Sequence, residues 1–192
     1  MGISPIVTNH RRTQARRRPP IEGAACLAFL VALLCLAGCA GPQEIPADRE
    51  SGRVASIADG DTLRLADGRR VRLVQIDAPE RGVECYGEEA QTALASLAPV
   101  GTRIVLEREP SLDDRDRFGR LLRTVLVGTR NVNLSLVERG AAAPYFYRGA
   151  RSPRAGALLR AAERARVERR GLWGSCPAAR LRPTRAVDSG AA

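Results

Sequence analysis

The sequence contains no lysine, and its single histidine, His10, lies close to the N-terminus. Any mature form that has lost this terminus therefore has neither side chain. Histidine-based nucleases, serine hydrolases with a histidine base and lysine-dependent phosphatases are excluded for such a form. Acid–base chemistry would then depend on carboxylates or on metal-bound water.

The N-terminus has the pattern of an export signal. Residues 1–20 carry five arginines and no acidic residue, and the following run Ala24–Gly38 is almost wholly apolar. This run is shorter than the roughly 20 residues that a membrane-spanning helix needs. A basic segment before a short apolar run favours a secretory signal over residues 1–38. A buried core helix is the alternative, although the run has no polar face.

The end of the apolar run resembles the bacterial lipobox, because Leu36, Ala37 and Gly38 precede Cys39. Small residues there fit the narrow pocket of the processing peptidase, which cuts before the cysteine that receives lipid. An ordinary signal cleavage beside a chance cysteine is the alternative. With a lipobox, Cys39 is the anchor and residues 39–50 form a polar tether. We then expect a protein of the bacterial cell envelope, lipid-anchored at a periplasmic, outer-membrane or cell surface.

Two of the five cysteines, Cys85 and Cys176, remain after the signal and Cys39 are set aside. An even pair in an oxidising compartment favours a disulfide bond. Two free thiols are the alternative, and a metal site built on them lacks a histidine to complete it. A bridge would fasten the C-terminal part of the domain to its body.

Positive charge is concentrated near the C-terminus. The whole chain has a formal net charge of +10, and residues 150–192 hold a large excess of arginine over acidic side chains. Such a surface favours polyanions, namely nucleic acid or anionic lipid headgroups. A solvated helix face is the equal alternative. The last residues, 177–192, have the composition of a disordered tail.

Residues 51–176 have the length and patterning of one mainly β domain of the α+β class. Apolar and polar side chains alternate as in half-buried strands over residues 53–57, 62–66 and 69–76. Asp67 and Gly68 predict a tight hairpin turn. Helices are predicted over residues 86–97, 132–139 and 152–170, and two further strands over 103–107 and 121–127. A five-stranded OB-fold barrel with three α-helices packed around it fits this order.

Carboxylates cluster at the ends of the predicted strands. Asp59 and Asp61 open the second strand, and Asp77 and Glu80 follow the third. Because the second and third strands are hairpin partners, these ends can meet. Short oxygen ligands of this kind suit Ca²⁺ or a similar hard cation.

Two arginines accompany the carboxylates. Arg72 lies five residues before Asp77, a spacing that puts them on opposite faces of an ideal strand. Arg120 enters the fifth strand, where its guanidinium can bind phosphate oxygens bidentately. Surface pairing with a nearby aspartate, Asp113, Asp114 or Asp116, is the alternative for Arg120.

Several ordered motifs resemble the staphylococcal nuclease (thermonuclease) family. They are DGDTLRL at 59–65, RLVQIDAPE at 72–80, YGEEA at 86–90, DRFGR at 116–120, and the stretch from Asn133 through ERGAA to the tyrosines near 146. The similarity covers roughly residues 52–174. It implies an OB-fold barrel with three helices and calcium-dependent hydrolysis of DNA and RNA phosphodiesters, giving 3′-phosphate ends.

The resemblance also implies roles for the acidic residues. Asp61, Asp77 and the backbone carbonyl of Ala78 would coordinate Ca²⁺, and Asp59 would assist through water. A cation held in this way needs no histidine or cysteine ligand.

The remaining implied roles concern the substrate. Arg72 and Arg120 would bind the scissile phosphate and stabilise transition-state charge, and Glu80 would orient or deprotonate the attacking water. Tyr145 and Tyr147 would flank the bound nucleotide by stacking. Barrel-mouth packing is the alternative for the tyrosines.

The chain departs from the family pattern in three places. Ala78 stands where threonine is common, Phe118 replaces a tyrosine, and the segment after Glu80 is short.

Taken together, the motifs and the resemblance predict a monomeric, sequence-tolerant endonuclease acting on DNA or RNA. Its alternatives are a non-catalytic OB-fold module that binds nucleic acid or an envelope partner, and a calcium-stabilised structural lipoprotein.

Overall fold

The computed structural model describes residues 48–192. The predicted export signal over 1–38, the lipidation site Cys39 and most of the tether 39–50 lie outside the described residues. The last tether residues belong to the fold, because the first strand already begins at Arg49. Within residues 48–192, no helix is long and apolar enough to cross a membrane.

Three antiparallel strands form the first part of the sheet: β1 Arg49–Ile57, β2 Thr62–Leu65 and β3 Arg70–Leu73. The β2–β3 connection is the tight turn that the sequence predicts. Gly68 adopts a φ of 88° there, which is the left-handed region that glycine enters without steric cost.

Two longer strands, β5 Arg103–Glu107 and β6 Leu121–Val127, complete the barrel. The strand order is β3-β2-β1-β5-β6, and β6 also pairs in parallel with β3, which closes the sheet on itself. A short strand, β7 Arg130–Asn131, extends β6. The predicted closed five-stranded barrel of OB-fold type is therefore confirmed. Its interior is filled by fully buried aliphatic side chains: Leu63, Leu65, Val71, Leu73, Ile104, Leu106 and Val125.

Three helices pack around the barrel, as predicted: α1 Gly87–Leu97, α2 Val132–Glu138 and α3 Ala155–Val167. A single helical turn, α4 Leu172–Ser175, follows them. One face of α1 is buried along the whole helix, at Gly87, Ala90, Leu94 and Leu97, which recur every three or four residues. The helix α3 presents small alanines to the core, so that it can approach α2 closely.

The third predicted strand, over residues 69–76, is interrupted in the structure. β3 ends at Leu73, and Gln75 has a φ of 64°, a left-handed conformation that turns the chain. Ile76 and Asp77 then form a separate strand, β4, which pairs with β8, Ala143–Pro144. The alternation rule consequently does not apply across this turn, and Arg72 can face Asp77 despite their odd spacing.

The C-terminal segment 177–192, which the sequence predicts as a disordered tail, packs against the domain instead. Cys176 is bonded to Cys85 through a disulfide. Further along, Val187 and Ser189 are buried, and Glu84 forms a β-bridge with Ala191. The prediction of disorder was wrong because it considered composition alone, whereas backbone pairing and the disulfide give this segment its partners.

Candidate active site

Asp61 lies buried directly before β2, where hydrogen bonds of its backbone and its side chain fix it. Its Oδ2 accepts a hydrogen bond of 2.8 Å from the Ala78 N–H, and its own N–H donates to Asp59 Oδ1 at 3.0 Å. Gly60 makes this arrangement possible. A Cβ there would come within 2.6 Å of the Cβ atoms of Ala78 and Ala90, so only glycine allows the three chain segments to approach so closely.

Arg72 joins the two aspartates that the sequence predicts as cation ligands. Its Nη2 lies 2.5 Å from Asp77 Oδ1 and 2.9 Å from Asp61 Oδ2. Its Nη1 donates to the carbonyls of Leu73 and Ile76, both at 2.8 Å. The β2–β3 register sets Arg72 directly opposite Thr62, beside Asp61. Arg72 is therefore turned toward the carboxylates and acts as their counterion.

Burial disfavours the charged forms of the Asp61 and Asp77 carboxyls more strongly than Arg72 favours them. Burial raises the pKa of Asp61 to about 8, against the opposing effect of the Arg72 guanidinium. Burial likewise raises the pKa of Asp77, with Arg72 again opposing the shift. A buried pair of this kind favours an additional positive charge, because desolvation penalises each carboxylate unless a cation compensates it.

The donor set fits a hard cation with oxygen ligands. Within residues 48–192, no group of three or more histidine, cysteine, aspartate or glutamate side chains forms a ready metal cluster. Two carboxylate oxygens, from Asp61 and Asp77, nevertheless converge on the single Nη2 atom of Arg72. That atom stands in for a cation, and waters and backbone carbonyls commonly complete the shell of Ca²⁺.

Glu80 lies at the exposed edge of this carboxylate group. Burial of its carboxyl raises its pKa, and the charge of Asp59 raises it next, followed by Asp77 and Glu84. Its backbone N–H donates to Glu84 Oε2 at 2.7 Å. A solvent-accessible carboxylate with a raised pKa is suited to accept a proton from water near neutral pH.

Arg120 connects to the same site from the other side. Its Nε donates to Asp116 Oδ2 at 2.6 Å, and its Nη1 donates to Thr62 Oγ1 at 3.3 Å. Thr62 Oγ1 in turn donates to Asp61 Oδ1 at 3.1 Å. The pairing with Asp116 that the sequence offered as an alternative is thus present, and it orients the guanidinium toward the site.

The pKa of Asp116 reflects this pairing. Burial alone would raise it, but hydrogen bonds from the Arg120 side chain and from the backbone N–H groups of Arg120 and Phe118 outweigh burial. The pKa of Asp116 therefore lies below the ordinary value of 3.8. Asp116 remains charged at neutral pH and keeps Arg120 in place.

A cleft of about 980 Å³ opens beside the two arginines. Arg72 and Arg120 line it, together with Phe118 and the predicted stacking residues Tyr145 and Tyr147. The Tyr147 side chain is exposed. The volume is that of a typical ligand pocket, and its aromatic and guanidinium groups are the ones that contact bases and phosphates.

Gln75 positions the tyrosine side of this cleft. Its carbonyl accepts a hydrogen bond of 3.0 Å from the Tyr145 N–H, and its side chain bonds to the backbone of Ala150 and Ser152 at 2.9 Å each. The turn that redirects Asp77 therefore also holds the segment that carries the tyrosines.

Sequence reasoning missed two contributors to the site, Thr62 and the backbone N–H of Val187, and it considered Asp116 only as an alternative surface partner of Arg120. Thr62 directly follows Asp61 in the DGDT motif, and Asp116 begins DRFGR, so both had a signal in the motifs themselves. Val187 donates to Asp77 Oδ2 at 2.7 Å from far along the chain. No local pattern indicates that contact.

The described domain is a closed OB-fold barrel with a buried carboxylate–arginine network, and two of its arginines line an adjacent cleft. Comparison with known proteins makes the assignment specific. The sequence model of the family described as staphylococcal nuclease homologue matches residues 70–175. The chain belongs to the staphylococcal nuclease family.

Individual relatives agree with this family. The chain is 43% identical over 135 residues to "Protein ParB" of Escherichia coli, covering 64% of this chain and 71% of that protein. It is 35% identical over 134 residues to "Micrococcal nuclease" of Shigella flexneri, covering 64% and 72%. It is 35% identical over 107 residues to "Thermonuclease" of Staphylococcus intermedius, covering 51% and 61%. The family and the names of the second and third relatives support a nuclease.

Proposed function

We propose that this protein is a calcium-dependent endonuclease that hydrolyses phosphodiester bonds of DNA, RNA or both with little sequence preference. The observation that carries the proposal is the continuous network from Asp77 through Arg72, Asp61 and Thr62 to Arg120, which ends in the cleft. It brings paired carboxylates and two guanidiniums to one place.

In the proposed reaction, Asp61 and Asp77 hold the cation, with the Ala78 carbonyl and with Asp59 acting through water. A bound Ca²⁺ supplies Lewis-acid polarisation of a phosphate oxygen. Arg72, once released from the carboxylates, and Arg120 then have free N–H groups to donate to the phosphate. Their charge stabilises the negative charge that develops on its oxygens in the transition state.

Glu80 completes the chemistry as the group that orients the attacking water and accepts its proton. A new P–O bond forms to this water as the bond from phosphorus to the 5′ oxygen breaks. The departing 5′ oxygen takes up a proton, and the phosphate stays on the 3′ end. Tyr145 and Tyr147 flank the nucleotide by stacking, which every base supports and which therefore gives little sequence preference.

The proposal is tested with the protein purified without residues 1–38, assayed on single-stranded DNA and on RNA. We expect digestion in Ca²⁺, arrest by EGTA and 3′-phosphate product ends. Glu80→Gln removes the proton acceptor and is expected to lower kcat by about 10²-fold or more. Glu163→Gln is the matched control, because Glu163 pairs only with Arg166 on the exposed face of α3. Equal activity of the two variants would overturn the role of Glu80.

A second candidate function is a non-catalytic module that binds nucleic acid or an envelope partner. One observation favours it: both terminal nitrogens of Arg72 are already engaged within the protein, Nη1 with two backbone carbonyls and Nη2 with Asp77 and Asp61. Tight DNA binding in Ca²⁺ without any cleavage would select this alternative over the nuclease.

We also propose that the protein is exported and anchored to the bacterial envelope by lipid on Cys39, and that it acts as a monomer. The support is the lipobox-like sequence before Cys39 and the disulfide between Cys85 and Cys176, a bond typical of oxidising compartments. Full-length protein is expected in the membrane fraction, and Cys39→Ala is expected in the soluble fraction. Membrane association that survives Cys39→Ala would contradict the lipid anchor.

A further inference from the structure

Residues 177–192, here called the C-terminal strap, lie beyond the part of the chain that matches the family, which ends at residue 175. The strap is nevertheless tied to the domain along its length. Leu181 packs against the main core, and the Pro183 carbonyl accepts a hydrogen bond of 2.6 Å from the Phe146 N–H. This segment is therefore a candidate for a function that the family comparison does not describe.

The strap reaches the candidate cation site at one point. The Val187 N–H donates to Asp77 Oδ2 at 2.7 Å, while Asp77 Oδ1 faces Arg72 at 2.5 Å. The two oxygens of this carboxylate are thus divided between the strap and the site. The hydrogen bond fixes the rotation of the carboxylate, so that Oδ1 remains directed toward Asp61 and Arg72.

Both ends of the strap are fastened to the same loop. The strap directly follows Cys176, which is bonded to Cys85. Near its other end, the Cys85 N–H donates to the Gly190 carbonyl at 2.8 Å, and Ser189 Oγ donates to the Cys85 carbonyl at 2.7 Å. The Val187 side chain is buried between these anchors, in the small cluster that contains Cys176. The N–H at 187 is consequently held in a fixed position.

The strap does not obstruct the substrate cleft. All residues that line the 980 Å³ cleft lie between Arg72 and Ala150, on the arginine and tyrosine side of Asp77. Val187 contacts Asp77 through its other oxygen. The strap therefore contacts a predicted cation-binding residue without blocking the cleft.

We propose that the C-terminal strap is a positioning element of the cation site, in which the backbone N–H of Val187 orients Asp77 for metal coordination. The inference rests on the proposed function, because it takes Asp77 as a cation ligand. Carboxylate ligands are commonly held by outer hydrogen bonds, and loss of such a partner typically lowers metal affinity by about 10- to 100-fold. Val187 acts through Asp77 and has no contact with substrate in this account.

The test compares Val187→Pro with Val187→Ala in the chain without residues 1–38, by calorimetric titration with Ca²⁺ alone. Proline removes the N–H donor but retains an apolar side chain of similar size. Alanine retains the donor and removes part of the buried side chain. We expect the Kd for Ca²⁺ to rise about 10-fold or more in Val187→Pro and less than about threefold in Val187→Ala. Thermal melting in EGTA reports packing separately.

Each outcome decides the question. The proposal would be overturned if the affinity for Ca²⁺ is unchanged in Val187→Pro, or if it falls equally in both variants. Tighter binding of Ca²⁺ by Val187→Pro would also overturn it, because this would show that the strap competes with the cation. If Val187→Pro does not fold, a chain ending at Ala186 replaces it, with the same expected loss of affinity. Failure of the unsubstituted protein to bind Ca²⁺ would instead contradict the proposed function itself.

Discussion

Replacing Arg72 by glutamine tests the role of this arginine as counterion for two buried carboxylates. The side chains of Arg72, Asp61 and Asp77 are 12%, 6% and 17% exposed, respectively. Arg72→Gln removes the positive charge and leaves both acids with only neutral partners. Because water has little access to the three groups, solvent screening cannot replace the lost attraction.

Breaking a buried ion pair by removing one partner typically costs about 3–5 kcal/mol. With a pKa raised to about 8, Asp61 is already mostly protonated at neutral pH, so the charge that loses its partner is chiefly that of Asp77. Protonation limits the penalty. We therefore expect Arg72→Gln to lower the free energy of unfolding by about 3 kcal/mol at neutral pH in EGTA, the lower end of that range.

Calcium is expected to reverse much of this loss, since it occupies the position that Arg72 Nη2 holds between the carboxylates. A ligand at 100 times its Kd stabilises a protein by about 2.7 kcal/mol. In the unsubstituted protein the cation must first displace Arg72, so we expect Ca²⁺ to stabilise Arg72→Gln by more than it stabilises the parent.

Urea denaturation in EGTA and in Ca²⁺ measures both effects. Arg166→Gln is the matched control, because it removes an arginine from a solvent-exposed pair with Glu163, for which little or no change in stability is expected. The reasoning is refuted if Arg72→Gln costs no more than Arg166→Gln in EGTA, or if Ca²⁺ stabilises Arg72→Gln no more than the parent.

Three further predictions follow from individual contacts. Replacing Cys85 and Cys176 together by serine removes a disulfide between residues 91 positions apart, and we expect the free energy of unfolding to fall by about 4 kcal/mol in urea denaturation. An unchanged free energy of unfolding would contradict a formed disulfide. Asp116 has a lowered pKa, so its stabilisation is present above the ordinary value of 3.8 and is lost as pH falls below it. In Asp116→Asn, the free energy of unfolding should accordingly fall less steeply as pH is lowered through the acid range than it does in the unsubstituted protein. The same pH dependence in both proteins would refute this. Gly60→Ala places a new Cβ atom 2.6 Å from the Cβ atoms of Ala78 and Ala90 and should lower the melting temperature. Gly156→Ala, on the exposed surface of α3, is the control and should not lower it.

The barrel was predictable from the sequence because its strands alternate cleanly and one turn is explicit. Asp67 and Gly68 specify the β2–β3 hairpin locally. Gly140, directly after the predicted helix 132–139, has the left-handed conformation in which helices commonly end. The grouping of Asp61 with Asp77 also followed, since hairpin partners bring their ends together.

The sequence shows a shift of phase before the break at Gln75, because the apolar residues Leu73 and Val74 are adjacent. The left-handed conformation of Gln75 was not predictable, because glutamine has no compositional signal for it. Tertiary contacts hold it there, through hydrogen bonds from its side chain and carbonyl to residues 145–152. The C-terminal strap escaped prediction for a related reason: its order depends on pairing with residues 83–85, which are distant in sequence. Local periodicity cannot report either interaction.

The most direct test of the central claim is hydrolysis of single-stranded DNA by the protein lacking residues 1–38, followed as Ca²⁺ is supplied, removed with EGTA and supplied again. We expect cleavage to stop with EGTA, to resume with Ca²⁺ and to leave 3′-phosphate ends. Cleavage is expected to be abolished when Glu80→Gln and Arg120→Ala are combined. Cleavage that continues in EGTA or in the double variant, or DNA binding in Ca²⁺ without cleavage, would contradict the central claim.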